Sequence, residues 1–183
     1  MKATPVEKLI LVMLSDLHQK AGIKNSVDPS LVSRAILDDD LWVLDWAYSG
    51  LNLGIETPQN VRFVVDVLDM FQFLAEGYQA LDDEGREQVK DEDPHAESFI
   101  KFPGFDGNHE GEYLSIASYL VDDLDRFQSL KAAATKNSHC GMVDTYQRML
   151  SVFLPIRARL AMRGLNAAEI VSVLAERVHP ENR

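Results

Sequence analysis

The strongest structural signal in the chain is a long amphipathic pattern that follows Thr57-Pro58. Its apolar residues recur at spacings of three and four over about five helical turns. They are Val61, Val64, Leu68, Phe71, Ala75 and Tyr78. Phe63 and Phe73 lie off that stripe, and a helix that is apolar on more than one side must be buried on more than one side. The pattern therefore predicts a central core helix, or a helix that also forms a subunit interface.

Five other segments have helical periodicity, and helix-start signals precede several of them. Thr4-Pro5-Val6-Glu7 is a capping-box pattern, and Asn166-Ala167-Ala168-Glu169 nearly repeats it. The segments are 5–20, 29–48, 113–127, 142–153 and 167–177. Segment 29–48 fits one long helix or two short ones, because three consecutive aspartates interrupt its apolar face. In the fifth helix, Pro155 is expected to introduce a kink or an end.

The remaining segment, 82–98, is polar and charged, and it predicts a solvated loop with at most one short helix. No segment combines strict alternation with β-branched enrichment, so we predict no strand. The sequence therefore predicts an all-α protein. We expect a compact bundle of about six helices that forms a single domain over residues 1–183.

The chain is acidic, with a formal net charge of −11 over 183 residues. Such a surface repels nucleic-acid phosphates and anionic membrane faces. The apolar run 9–14 is too short to span a bilayer, and Ser15-Asp16 follows it in place of a signal-cleavage site. A single cysteine, Cys140, excludes an internal disulfide. We therefore expect a cytoplasmic protein that binds neither nucleic acid directly nor a membrane.

The least ordinary stretch is KFPGFDGNHEGEYL, residues 101–114. If it is already helical, Asp106, His109 and Glu110 share one face, and this set suits a divalent metal or proton transfer. The structural alternative makes Asp106 or Asn108 an N-cap and places Glu110 in the first helical turn. Such caps are commoner than complete metal sites, which favours the structural interpretation.

A fourth metal ligand would have to come from His139 or Cys140. If the fourth and fifth predicted helices form a hairpin, those residues lie about 30 Å from Asp106. The segment expected beside Asp106 is instead 157–164, which would pair its arginines with Glu110 and its neighbour Glu112. Those arginines are Arg157, Arg159 and Arg163. We therefore predict ion pairs there, and we predict no cofactor.

Two motifs resemble the bacterial YfbU family: F-x-G-F-D at 102–106, followed by Glu110 and Tyr113, and Y-Q-R-M-L at 146–150. Weaker matches near both termini and in the long amphipathic segment extend the resemblance over nearly the whole chain. The resemblance implies a small, helical, intracellular bacterial protein without an established reaction, so no catalytic residue is transferred. The motif residues expected to be structural are Phe102, Gly104, Phe105, Tyr146 and Arg148.

Two functional interpretations follow. The first is a non-enzymatic interaction or regulatory protein that self-associates, most simply as a twofold dimer, with an unknown protein partner. It depends on surplus apolar residues in segments 61–78 and 41–46 and in the leucine-rich first helix. The second is a small-molecule or metal-dependent enzyme that uses Asp106, His109 and Glu110 where the loop meets the helix.

Overall fold

The computed structural model describes residues 3–24, 26–179 and 181. Within them the chain forms ten α-helices and no strand, which confirms the all-α prediction. The helices are α1 (Pro5–Ala21), α2 (Pro29–Leu37), α3 (Trp42–Ala47), α4 (Gln59–Ala80), α5 (Asp83–Glu92), α6 (Ala96–Phe99), α7 (Gly111–Ser118), α8 (Lys131–Ala134), α9 (Val143–Arg157) and α10 (Ala167–Ala175). Short 3₁₀ turns at Ser49–Leu51 and Gln128–Leu130 accompany them.

The predicted number of about six helices is wrong, partly because charged segments form more helix than expected. Segment 29–48 contains two helices, α2 and α3, which is one of the two alternatives left open for it, and Asp39 between them has a left-handed backbone with φ 62°. Segment 82–98 contains α5 and α6 in place of a loop. The Asp82 side chain accepts a hydrogen bond from the Gly85 amide, and Val89 anchors α5 in the core. A cap and one buried residue thus suffice for a helix of good helix formers.

The helix predicted over 113–127 is also much shorter. The helix α7 ends at Ser118, and a single π-type turn, Tyr119–Asp123, follows it. Asp125 and Phe127 then have left-handed backbones with φ 52° and 49°. These conformations cannot continue a right-handed helix, so the predicted helix does not extend to Phe127.

The chain divides into two compact units, Met1–Pro58 and Gln59–Arg183, and the single-domain assignment stays a prediction. In the first unit α1 packs on α2. The predicted capping box is present: the Glu7 amide donates to the Thr4 hydroxyl, and the Thr4 amide donates to the Glu7 carboxylate at 2.7 Å. Gly22, in the left-handed conformation, ends α1. Both ends of this helix therefore match the sequence signals.

The second unit is built round α4, the helix with the strongest sequence signal. It packs against α7, α9 and α10. Its buried face comprises Val61, Val64, Val67, Leu68, Met70, Phe71, Leu74 and Gly77. The off-stripe aromatics also contact neighbours within the unit, Phe63 against Tyr113 and Phe73 against Phe153. The apolar surplus of α4 is thus taken up inside its own unit.

The last two helices are α9, which continues past a proline, and α10, which begins at a second capping box. The helix α9 contains Pro155 and runs two residues beyond it, to Arg157. The helix α10 begins at the predicted box, in which the Glu169 amide donates to the Asn166 side chain at 2.9 Å. The Arg157 guanidinium binds Asp66 at 3.0 Å on α4. This ion pair holds the end of α9 against the central helix α4.

Candidate functional site

An aromatic cluster holds the loop between α6 and α7 against α9. Phe102 and Phe105 are buried and contact each other and Tyr146, with ring centroids 5.4 to 5.9 Å apart. Phe71 of α4 contacts Phe102 and Tyr146. The Tyr146 hydroxyl donates to the carbonyl oxygen of Gly104 at 2.6 Å. Burial raises the pKa of Tyr146, because a phenolate there would lose its hydration.

The backbone of the loop passes so close to a second loop that a glycine is required. Gly104 has φ 97°, and a Cβ atom built on it would lie 1.9 Å from the carbonyl oxygen of Lys136. Beyond it, the Ser138 amide donates to the Phe105 carbonyl at 3.1 Å, and the Asn137 side chain accepts from the Gly107 amide at 3.0 Å. The segments 104–107 and 136–138 therefore form one packed structure.

Glu110 is buried, and both of its carboxylate oxygens accept hydrogen bonds from backbone amides. One oxygen accepts from Met142 at 2.7 Å and Val143 at 2.8 Å, where α9 begins. The other oxygen accepts from Asp106 at 3.0 Å. Glu110 thus caps α9, a helix 32 residues away, as well as preceding the first turn of its own helix.

Asp106 is also buried, but its carboxylate binds groups within its own loop. One oxygen accepts from the Asn108 amide at 3.1 Å, and the other lies 2.6 Å from Nδ1 of His109. The hydrogen bond from His109, with that from Asn108, lowers the pKa of Asp106. The His109 side chain itself is 82% exposed. The aspartate therefore stays ionised and holds a turn.

Asp106, His109 and Glu110 lie close together, and the Asp106 carboxylate contacts His109 at 2.6 Å. The Glu110 carboxylate instead accepts hydrogen bonds from backbone amides, two of them at the start of α9, and the His109 side chain is largely exposed. Within residues 3–24, 26–179 and 181, no three histidine, cysteine, aspartate or glutamate side chains are arranged to hold a metal ion. The arrangement is suited to ordering two loops and a helix end.

The prediction that segment 157–164 lies beside Asp106, with His139 and Cys140 far away, is wrong. The 136–141 segment lies beside Asp106, as the hydrogen bonds of Gly107 to Asn137 and of Ser138 to Phe105 show. The reason is the early end of α7 at Ser118, which lets the chain return through α8. The segment 157–164 lies against α4 instead.

The arginines of that segment accordingly do not pair with Glu110 or Glu112. Arg157 binds Asp66 and Asp69, and Arg163 binds Glu169 at 2.6 Å. The Arg159 side chain donates to the carbonyl of Pro155. Glu112 accepts a hydrogen bond from Asn60 of α4.

Arg148 has a long-range role that the sequence motif did not reveal. Its guanidinium donates to the carbonyl oxygens of Glu176 at 3.1 Å and Arg177 at 3.3 Å, just after α10. The same side chain binds the carbonyl of Asp144 in its own helix. A cation at a helix C-terminus satisfies carbonyls that have no intrahelical partner. Through Tyr146 and Arg148, the Y-Q-R-M-L motif thus joins α9 to the loop that contains Gly104 and to the end of α10.

Sequence reasoning also missed Asn137, whose side-chain oxygen accepts from Gly107 and from His139 at 2.8 Å. An asparagine before a turn signals local hydrogen bonding but gives no indication of a partner thirty residues away. The spacing of Asp66 and Asp69, which places both on one face of a helix, was a usable signal for a cation such as Arg157.

The second unit also has a shallow cleft of about 500 Å³ between α5 and α10. Val89 and Leu174 line it, and Phe99 lies under the guanidinium of Arg177 at 3.0 Å. Arg177 also binds Asp93 at 3.2 Å. The Arg177 charge is therefore paired with Asp93 inside the cleft, and Glu92 adds a second acid to the lining.

A different kind of candidate surface lies in the first unit, where α1 exposes its apolar side. Ser15 is the buried residue of α1, and it lies about 180° round the helix from Val6. The side chains facing away from Ser15 are 51% to 66% exposed. They are Val6, Leu9, Ile10, Met13, Leu14 and Leu17, the α1 stripe. The packed side of α1 carries Ser15 with the half-buried Lys8, Val12 and His18, whereas the α1 stripe faces solvent.

No helix in the described part of the chain has the length and apolarity to cross a bilayer.

A family model for the YfbU domain matches residues 1–175. A UPF0304 protein of Methanocaldococcus jannaschii is 30% identical over 103 residues, which are 54% of this chain and 58% of that relative. The chain thus spans a little over half the length of this curated relative. That relative is archaeal, so the family is not confined to bacteria. The match over residues 1–175 shows that this chain belongs to the YfbU domain family.

Proposed function

We propose that this protein acts through protein–protein contacts rather than through a chemical site, and that it self-associates. The observation that carries the proposal is the position of its exposed apolar side chains. Eleven of the thirteen large exposed apolar residues found in the described ranges belong to the first unit, which is less than a third of the chain. Patches of this kind on soluble proteins mark interaction surfaces.

The distribution narrows the expected interface to one helix. Segment 41–46 places Trp42, Val43 and Leu44 in the interior, and α4 has its apolar surplus covered within the second unit. Of the three segments that suggested self-association, α1 retains an uncovered apolar side. The surface available for a partner is therefore in the first unit.

The enzymatic alternative receives little support from Asp106, His109 and Glu110. The two carboxylates are engaged by four backbone amides and one imidazole, all within the protein. A catalytic or metal-binding carboxylate needs lone pairs directed at its substrate or ion. The oxygens of Asp106 and Glu110 are instead hydrogen-bonded to groups of the protein itself.

Light scattering after size exclusion tests the proposal. At micromolar concentrations the full chain should have about twice its 20.6 kDa chain mass. Elemental analysis and native mass spectrometry of the same sample should show no stoichiometric metal or small molecule. A monomer at every concentration, or a bound metal that is lost in Asp106→Asn and His109→Gln, would contradict it.

A further inference from the structure

We propose that the α1 stripe pairs with the α1 stripe of a second copy, antiparallel and across a twofold axis. This inference rests on the proposed function, because it names the occupant and the geometry of the surface on which that function depends. The stripe occupies the side of α1 that faces away from its buried residue, Ser15. A helix with an apolar face of this length is stabilised when a second apolar face covers it.

The centre of the stripe has the spacing of a two-helix seam. Val6, Ile10, Met13 and Leu17 follow one another at intervals of four, three and four residues. Alternating steps of three and four keep side chains on the line where two helices meet. Leu9 and Leu14 flank this line, so the apolar band is wider than the seam itself.

These intervals read the same in both directions along the helix. In an antiparallel pair, Val6 therefore lies level with Leu17 of the second copy, and Ile10 lies level with Met13 of the second copy. Every seam residue then meets an apolar partner. A twofold interface requires a self-complementary surface of this kind, because each residue contacts a different residue of the same patch.

The charges favour the antiparallel arrangement over the parallel one. The next seam position after Leu17 is Lys20, and a parallel pair would place the two Lys20 ammonium groups together. An antiparallel pair moves Lys20 beyond the end of the apolar contact. It also places the positive N-terminal end of each helix dipole beside the negative C-terminal end of the other.

The local charge makes self-pairing possible here although the chain as a whole carries −11. Within residues 3–24 there are three lysines and two acids, a formal balance of +1. Those residues are Glu7, Lys8, Asp16, Lys20 and Lys24. Repulsion between acidic copies is therefore small along this helix.

The area is sufficient for a specific complex. Covering six large side chains at the observed exposures would remove on the order of 600 Å² per copy from water. The pair would bury about 1,200 Å², which is the lower bound of stable, specific interfaces. Complete coverage of the α1 stripe would thus reach the lower limit of a stable, specific interface.

The first test introduces a charge into the seam. Met13→Glu should weaken self-association by about 100-fold or more, because two carboxylates would be buried without partners. Leu51→Glu is the matched control, since Leu51 and Met13 are both 57% exposed. The mass of the Leu51→Glu variant in solution, measured by light scattering, should equal that of the wild-type dimer. Circular dichroism should show unchanged helix content in both variants.

The second test determines the direction of the pairing by disulfide cross-linking in a Cys140→Ser background. Val6→Cys/Leu17→Cys should form a covalent dimer on oxidation, and neither single-cysteine variant should. In an antiparallel pair, identical positions lie about 16 Å apart, as do positions 6 and 17 within one helix, which is too far for a disulfide.

Each alternative result has a distinct meaning. Wild-type protein that stays monomeric contradicts both this inference and the proposed function. A dimer that survives Met13→Glu, without cross-linking of the double variant, contradicts the α1 pairing and leaves self-association standing. Cross-linking of either single variant would show a parallel pair, and open-ended assembly would show a contact that is not twofold.

Discussion

The Tyr146 hydroxyl donates a 2.6 Å hydrogen bond to the carbonyl oxygen of Gly104, and both residues are buried. This contact joins the first turn of α9 to a loop 42 residues earlier. Because burial raises the pKa of Tyr146, the hydroxyl keeps its proton and remains a donor. Two residues from separate family motifs thus act as one structural pair.

Removing that hydroxyl should destabilise the protein. Tyr146→Phe leaves the Gly104 carbonyl buried without a donor, so we expect a loss of about 1–3 kcal/mol in the free energy of unfolding, measured by urea denaturation. Tyr113→Phe is the control, because the structure gives the Tyr113 hydroxyl no hydrogen-bond partner in the described ranges. Its effect should stay within about 0.5 kcal/mol. Equal losses in the two variants would contradict the role of the pair.

Replacing the Glu110 carboxylate should weaken the start of α9. In Glu110→Gln one oxygen becomes an NH₂ group, so at least one amide among Asp106, Met142 and Val143 loses its acceptor. We expect a cost of about 1–3 kcal/mol in chemical denaturation. Glu87→Gln, on the exposed side of α5, should be nearly neutral. A neutral Glu110→Gln would show that this cap contributes nothing.

The ionised state of Asp106 should make stability depend on pH in the acid range. Its pKa is lowered in the folded protein, chiefly by His109, so ionisation stabilises the fold above the unfolded pKa of about 3.9. As pH falls below that value towards the folded pKa, the contribution is lost.

Denaturation at a series of pH values from about 6 to about 3 checks this expectation. Wild type should be more stable than Asp106→Asn at pH ~6, and the difference should shrink below pH ~3.9. His109→Gln should reduce the same pH dependence, since it removes the first cause of the shift. Parallel pH profiles for wild type and Asp106→Asn would refute the assignment.

A side chain at Gly104 should be poorly tolerated. Gly104→Ala places a Cβ atom 1.9 Å from the Lys136 carbonyl oxygen in a backbone conformation that L-residues avoid. We expect a loss of at least ~2 kcal/mol in unfolding free energy. Gly111→Ala is the matched control, because a Cβ atom added there would have no neighbouring atom within 4 Å, and it should be neutral or slightly stabilising. The comparison requires only thermal or chemical denaturation of the two variants.

Local signals in the sequence predicted several helix starts correctly. The capping boxes at Thr4 and Asn166 are present, and α1 and α4 occupy the segments whose periodicity indicated them. These features depend on residues three or four apart, which a sequence shows directly. The all-α class follows from them.

The site region was harder because it depends on where one helix stops. Neither glycine nor proline marks the end of α7 at Ser118, and the periodicity continues to Phe127. The pairing of Phe105 with Asn137 follows from that stop, and nothing local indicates it. Likewise, the acid that caps α9 lies 32 residues before it, beyond the reach of any capping rule. Non-local hydrogen bonds, rather than helix propensity, set the limit of prediction.

The sharing of Glu110 between two distant segments has a consequence for the dynamics of the protein. Three amide protons, those of Asp106, Met142 and Val143, are held by one side chain. These amides can exchange with solvent only when their hydrogen bonds to the Glu110 carboxylate break. The loop that contains Asp106 and the first turn of α9 therefore form a single cooperative opening unit. Hydrogen exchange at positions 106, 142 and 143 should therefore proceed at similar protection and respond together to Glu110→Gln, although a full loop and two helices separate these residues along the chain.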